Sequence, residues 1–147
     1  MPPCFLNGIL DETLRMVLES ELFNRNNTYL TDVIVDTGMT KFEGDAFIGI
    51  SCEISARLGL VYKGKTVSIW NQYNGKLEEC KLTQLSIRLK ENTITRFEFV
   101  NINAVIVPLL GEDIIIGQDF LYSILNCKRL IVDYEHLKFK IMVCPLK

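Results

Sequence analysis

Apolar residues that recur at every second position set the tightest limit on how this chain folds. In residues 13–22, Leu14, Met16, Leu18 and Leu22 fall on one face, and Arg15, Glu19 and Glu21 fall on the other. A period of two belongs to a half-buried strand rather than to a helix. Further strands are expected at residues 29–35, 66–70, 77–89, 97–107, 130–134 and 137–143. Asn24-Arg25-Asn26-Asn27 reads as a hairpin turn, because asparagine tolerates left-handed backbone angles. Asn74-Gly75, a strong short-range hairpin signal, separates 66–70 from 77–89. Glu135-His136 closes a last hairpin. Ile114-Ile115-Ile116 is the continuous β-branched run of a fully buried strand. Two stretches read as short helices. One is 51–58, with Ile54 and Leu58 four apart and Gly59 as its stop; the other is 118–125, closed by Asn126. Many strands on short connections predict a mostly β fold, a compact closed barrel or sandwich with one or two short helices.

Composition narrows the function classes. The 147 residues fit a single domain, 1–147. Apolar residues make up 48% and charged residues 23%, which is globular and not disordered composition. Sixteen basic and eighteen acidic side chains, with no basic cluster, leave no footprint for nucleic acid. No apolar run approaches the ~20 residues of a membrane span. Residues 1–12 lack a basic segment before a long apolar one, so no signal peptide and a cytoplasmic location are expected. Cys4, Cys52, Cys80, Cys127 and Cys144 are scattered and form no CxxC, which suggests neither a zinc site nor a redox pair. His136 is the only histidine, so a two-histidine zinc motif is excluded. No metal and no cofactor are expected.

The chemistry-bearing segment is Asp36-Thr37-Gly38, delivered by the apolar run Val33-Ile34-Val35. By itself the tripeptide is an ordinary exit from strand to turn, since aspartate and glycine are common turn residues. Its context is Glu112-Asp113-Ile114-Ile115-Ile116-Gly117-Gln118-Asp119-Phe120-Leu121, a branched apolar strand, a glycine and a helix. The two segments in this order resemble the paired signatures of retropepsin-like aspartic proteases. Residues 54–60 resemble the helix that many cellular and bacterial members place after the DTG loop. Tyr73, Asn74 and Gly75 stand where the flap tip belongs, and the hairpin 130–143 resembles the terminal strands. The resemblance runs over residues 5–143. It implies a small closed β-barrel of the retropepsin (acid protease) type, an aspartic endopeptidase acting on peptide or protein, and Asp36 as its catalytic residue. Thr37 and Gly38 would support the active site. Tyr73, Asn74, Gly75 and Ile116 would touch substrate from the flap and the pocket wall. Met39 departs from the family, which carries a small residue at that position.

Aspartic proteolysis needs two carboxylates that share one proton. This chain carries one DTG, so a single copy cannot supply the pair. A twofold axis can, by placing Asp36 beside its symmetry mate. The resemblance therefore implies a homodimer, with an interface expected at residues 3–10 and 137–146. Gly38 is expected to donate its amide to the Asp36 carboxylate. The rival reading is a catalytically silent module that keeps the fold for dimerisation or peptide binding.

Overall fold

The computed structural model describes residues 4–71, 75–108 and 110–143. Among them the chain forms β1 (Cys4–Leu10), β2 (Met16–Asn24), β3 (Asn27–Asp36), β4 (Ile48–Ser51), α1 (Cys52–Leu58), β5 (Thr66–Asn71), β6 (Lys76–Glu91) and β7 (Ile94–Val107). There follow β8 (Ile114–Gly117), a π-helical turn (Phe120–Ile124), β9 (Cys127–Asp133) and β10 (Lys138–Val143). These strands join one sheet in the order β5-β6-β7-β4-β8-β3-β2-β1-β10-β9. An additional pairing of β2 with β6 brings the sheet back on itself, so β2, β3, β8, β4, β7 and β6 close a six-stranded barrel. The mostly β fold with a closed barrel and two short helical segments agrees with the sequence reading.

Closure depends on two strands that divide an edge between partners. On β2, Met16 and Val17 pair with β1, while residues 19–23 pair with β6. On β6, residues 76–81 pair with β5 and residues 86–90 with β2 along one edge, while residues 81–91 pair with β7 along the other. Residues 76–80 therefore run past the end of β7, and with β5 they form a two-stranded arm projecting from the barrel.

Alternation places the core. Leu18, Ser20 and Leu22 of β2 point inward, and Glu19 and Glu21 point outward. The one polar member, Ser20, donates its hydroxyl to the Thr31 carbonyl at 2.8 Å, so its burial leaves no unpaired group. Val33, Ile48, Ile50, Ile87, Ile114 and Ile116 complete the barrel interior. A second, smaller cluster of Ala46, Val67, Cys80, Leu82 and Val105 lies at the base of the arm. The helix α1 starts where the Ser51 hydroxyl accepts from the Ile54 amide, and stops where Gly59 turns left-handed at φ +65°. Asn24 and Asn27, flanking the β2–β3 turn, donate their side-chain amides to the Leu58 carbonyl at the end of α1. The turn thus satisfies carbonyls that a helix end leaves open.

Two expectations are corrected. Residues 13–15 belong to a turn, not to a strand. The Asp11 carboxylate gathers the Thr13 amide, the Thr13 hydroxyl and the Arg15 amide, and Leu14 is left-handed and exposed. The short helix expected at 118–125 is present and widens to π-helical form over Phe120–Ile124, closed by the Leu125 amide on the Phe120 carbonyl at 2.9 Å. The chain ends are not unpaired: β1 and β10 pair antiparallel from Cys4–Val143 to Ile9–Lys138, burying Leu6, Phe139 and Ile141. β10 is paired on both sides, with β1 and β9, whereas β1 pairs with β2 only through Ile9 and Leu10. Among the described residues, no helix is long and apolar enough to cross a membrane.

Candidate active site

The run Val33-Ile34-Val35 is buried, and Asp36, which follows it and ends β3, is exposed. It stands beside Gly117, its partner in the parallel pairing of β3 with β8. Thr37 and Gly38 are exposed with it. The Gly38 amide donates to Asp36 Oδ1 at 3.0 Å, as the sequence reading expects, and the Met39 amide donates to the Asp36 carbonyl at 3.1 Å. The carboxylate is therefore held in one orientation by its own loop.

That loop is fastened to β8 and the π-helical turn. The Gln118 amide donates to the Met39 carbonyl at 2.9 Å, and Asp119 Oδ2 accepts from the Lys41 amide at 2.6 Å. The first bond explains the glycine in the Ile-Ile-Gly segment. A Cβ on Gly117 would lie 2.1 Å from the Met39 carbonyl oxygen, so only glycine lets the two backbones meet. Met39, the departure from the family pattern, contributes this carbonyl and lays its Cβ over the same glycine. Asp119 does not cap the following turn; it serves as the loop's second anchor. Beyond it, Lys41 pairs with Asp45 at 2.8 Å, and Phe42 and Ala46 pack into the small cluster at the base of the arm.

Asp36 and Thr37 line a cleft of about 340 Å³ whose other walls include Leu14, Met16, Ile34, Val132 and Tyr134. Leu14 and Tyr134 leave 52% and 65% of their surface in solvent. Arg15 stands at the rim, held by Asp11 at 2.9 Å and by Glu112. The Asp11 carboxyl is drawn down to about 2, first by the Arg15 amide and then by the Thr13 hydroxyl and the guanidinium. This ties the β1–β2 turn to the loop before β8. On the other side of that loop, Asp113 Oδ2 accepts from the Thr31 hydroxyl at 2.7 Å and from the Tyr29 hydroxyl at 3.3 Å. Among the described residues, no group of three or more His, Cys, Asp or Glu side chains is arranged to hold a metal ion.

The residues expected to contact substrate fall in different places. Ile116 is wholly buried in the barrel interior, so its side chain is core and not pocket wall. Tyr73 and Asn74 lie outside the described residues. Gly75 is left-handed at φ +66°, in the turn that leads into β6. The arm it closes carries a cross-strand pair, Trp70 and Leu77, exposed at 60% and 65%. Sequence reasoning missed the Asp11–Arg15–Glu112 latch and the acceptor role of Asp119. Asp11-Glu12-Thr13 carries a signal for the first, an aspartate two residues before a threonine, which favours a side-chain-closed turn.

Among solved structures, the fold matches a crystal structure of a retropepsin-like aspartic protease from Rickettsia conorii. The TM-score is 0.59 and the identity 16%, over 97% of this chain and 93% of that one. At this identity the likeness is one of fold. No protein-family model matches the chain, and no match is found among curated proteins.

Proposed function

We propose that this protein is an aspartic endopeptidase that works as a homodimer, with Asp36 of two chains forming the catalytic pair. The observation that carries the reading is the setting of Asp36: exposed at a strand end, oriented by the Gly38 amide, on a loop anchored twice to the Ile-Ile-Gly-Gln-Asp segment. A carboxylate serving only a turn needs no such bracing.

Two carboxylates facing each other across a twofold axis hold one proton between them. The ionised member takes a proton from a bound water as the water attacks the scissile carbonyl. The proton on the other member stabilises the charge developing on the carbonyl oxygen. The Gly38 amide keeps the carboxylate oriented through both steps. The exposed Thr37 hydroxyl serves to bond across the axis to the partner's loop. An extended peptide lies as an added strand between the active-site floor and the β5–β6 arm, its alternate side chains in apolar pockets. The arm limits access of bulk water.

The test is peptide hydrolysis by the wild type and by Asp36→Asn, across pH, alongside thermal unfolding. The wild type is expected to show a bell-shaped profile, because one proton must sit on the pair. Asp36→Asn is expected to fold and to hydrolyse nothing. Hydrolysis by a pure, folded Asp36→Asn protein refutes the mechanism. A wild type inert at every pH that still binds peptide makes the silent module the better account.

A further inference from the structure

A second cleft, also of about 340 Å³, adjoins the one that holds Asp36 and shares Ile34 and Arg15 with it. We propose that Asp32, in this second cleft, selects a lysine or arginine side chain of the peptide, so that the substrate carries a basic residue within about four positions of the bond cut. The inference rests on the endopeptidase reading above and names the substrate class of that site.

The strand β3 leads from one cleft to the other. Asp36, Ile34 and Asp32 are alternate residues and share its outer face. Four residues at ~3.3 Å each set Asp32 about 13 Å from Asp36 along the strand, the span of about four residues of an extended peptide. The floor between them is apolar. Val17 stands opposite Ile34, and Ile9 stands opposite Val17. Such a floor suits the aliphatic stem of a lysine or arginine whose charged head lies beyond it.

Charge decides the occupant. Glu19 of β2 stands directly opposite Asp32, and like charges so placed repel. Lys90 lies opposite Glu19 on its other side, so the row across β6, β2 and β3 reads Lys90, Glu19, Asp32 and ends without a cation. Asp32 also borders a third cleft, where Lys90 and Lys138 stand with Glu19 and Glu91 in equal number. In the second cleft the one cation is Arg15, and Asp11 and Glu112 already hold it. The other carboxylates there are engaged as well. Asp11 closes its turn, Glu112 pairs with Arg15, and Asp113 accepts from the Thr31 and Tyr29 hydroxyls. Among the described residues that line this cleft, the Asp32 carboxylate alone has neither a hydrogen bond nor an ion pair. A basic side chain lying over Val17 and Ile34 supplies the missing counter-charge and relieves the repulsion from Glu19. An acidic side chain in the same place meets two carboxylates instead.

The test uses a peptide library with an apolar centre and lysine, glutamine or glutamate placed in turn at each flanking position. Hydrolysis and binding are measured for the full-length wild type, Asp32→Asn and Asp32→Lys. At one or more positions the wild type is expected to favour the lysine peptide over the glutamate peptide by a factor on the order of ten in kcat/KM, carried by KM. Raising the salt concentration should shrink that ratio, which a preference for shape would not do. In Asp32→Asn the ratio should fall towards one, and in Asp32→Lys it should invert. Inversion is a gain for the glutamate peptide, which a loss of folding would not give. The proposal is overturned if the wild type cuts lysine and glutamate peptides alike at every position, or if Asp32→Lys keeps the wild-type order; either result leaves the endopeptidase reading standing. A wild type that cuts nothing but binds lysine peptides more tightly, with an order that Asp32→Lys inverts, upholds the pocket and refutes the endopeptidase reading. Neither cleavage nor binding of any peptide refutes both.

Discussion

Replacing Gly117 by alanine tests the claim that this position is set by space and not by backbone angle. Its φ is not left-handed, so alanine has no conformational penalty there; the added Cβ would sit 2.1 Å from the Met39 carbonyl oxygen and 2.9 Å from the carbonyl carbon. To move from 2.1 Å to ordinary van der Waals contact, which begins at 3.4 Å, the carbonyl oxygen must withdraw by more than ~1 Å. That movement breaks the 2.9 Å bond from the Gln118 amide, a loss of ~1 kcal/mol. Forcing a methyl group into a packed contact costs a further ~1–3 kcal/mol. The expected destabilisation is ~2–4 kcal/mol, a fall in melting temperature of roughly 5–15 °C for a chain of this length. Because the displaced carbonyl belongs to the loop that orients Asp36, hydrolysis should fall on the order of a hundredfold. Gly64→Ala is the contrast: nothing lies within 4 Å of its added Cβ, but φ is +75°. That variant should lose ~1 kcal/mol to backbone strain and keep full hydrolysis. Urea unfolding and peptide hydrolysis of both variants decide it. If Gly117→Ala unfolds within about 0.5 kcal/mol of the wild type, the close approach of the two backbones is not what fixes this glycine.

Removing the second anchor gives a graded outcome. Asp119→Ala takes away the acceptor of the Lys41 amide and is expected to cost ~1 kcal/mol and to lower hydrolysis, whereas Asp119→Asn keeps an oxygen in place and should lie between it and the wild type; equal unfolding midpoints for all three would show that the bond carries nothing. The Asp11 latch predicts an acid dependence. A carboxyl held down to about 2 contributes stability that is complete above its unfolded value of ~3.9 and is lost as pH falls from there through ~2. The unfolding curves of the wild type and Asp11→Ala should therefore stand apart at neutral pH and converge near pH ~2, and a gap unchanged at that pH would contradict the assignment.

What could be read in the sequence was what local chemistry decides. Alternation in β2, the branched run of β8, the Gly59 stop and the Asp-Thr-Gly exit each depend on a few neighbouring residues, and each appears where expected. Misreadings arose where a distant partner decides. Leu14 fits the alternating pattern, but Asp11 closes a turn that lifts it out of the strand. Ile115 and Ile116 look alike in sequence; the register against Ile34 and Val35 decides which one is core. The chain ends offered no signal that they would pair with each other, since antiparallel pairing across 130 or so intervening residues leaves no local trace.

The small cluster at the base of the arm links two parts of the proposed site that are far apart in sequence. Phe42 and Ala46 come from the loop that follows Asp36; Val67 and Ile69 come from β5, Cys80 and Leu82 from β6. An isolated two-stranded hairpin is barely stable in water, so the arm depends on this cluster for its order. The same side chains fix the far end of the loop whose near end is held by Gln118 and Asp119. Loop and arm thus take their positions from one set of contacts, separate from the barrel core. Under the proposed function the arm opens by releasing β5–β6 pairs, while the anchors on Met39 and Lys41 stay closed and the carboxylate keeps its orientation. This arrangement divides mobility from alignment, as a site must that both admits an extended peptide and holds two carboxylates in register.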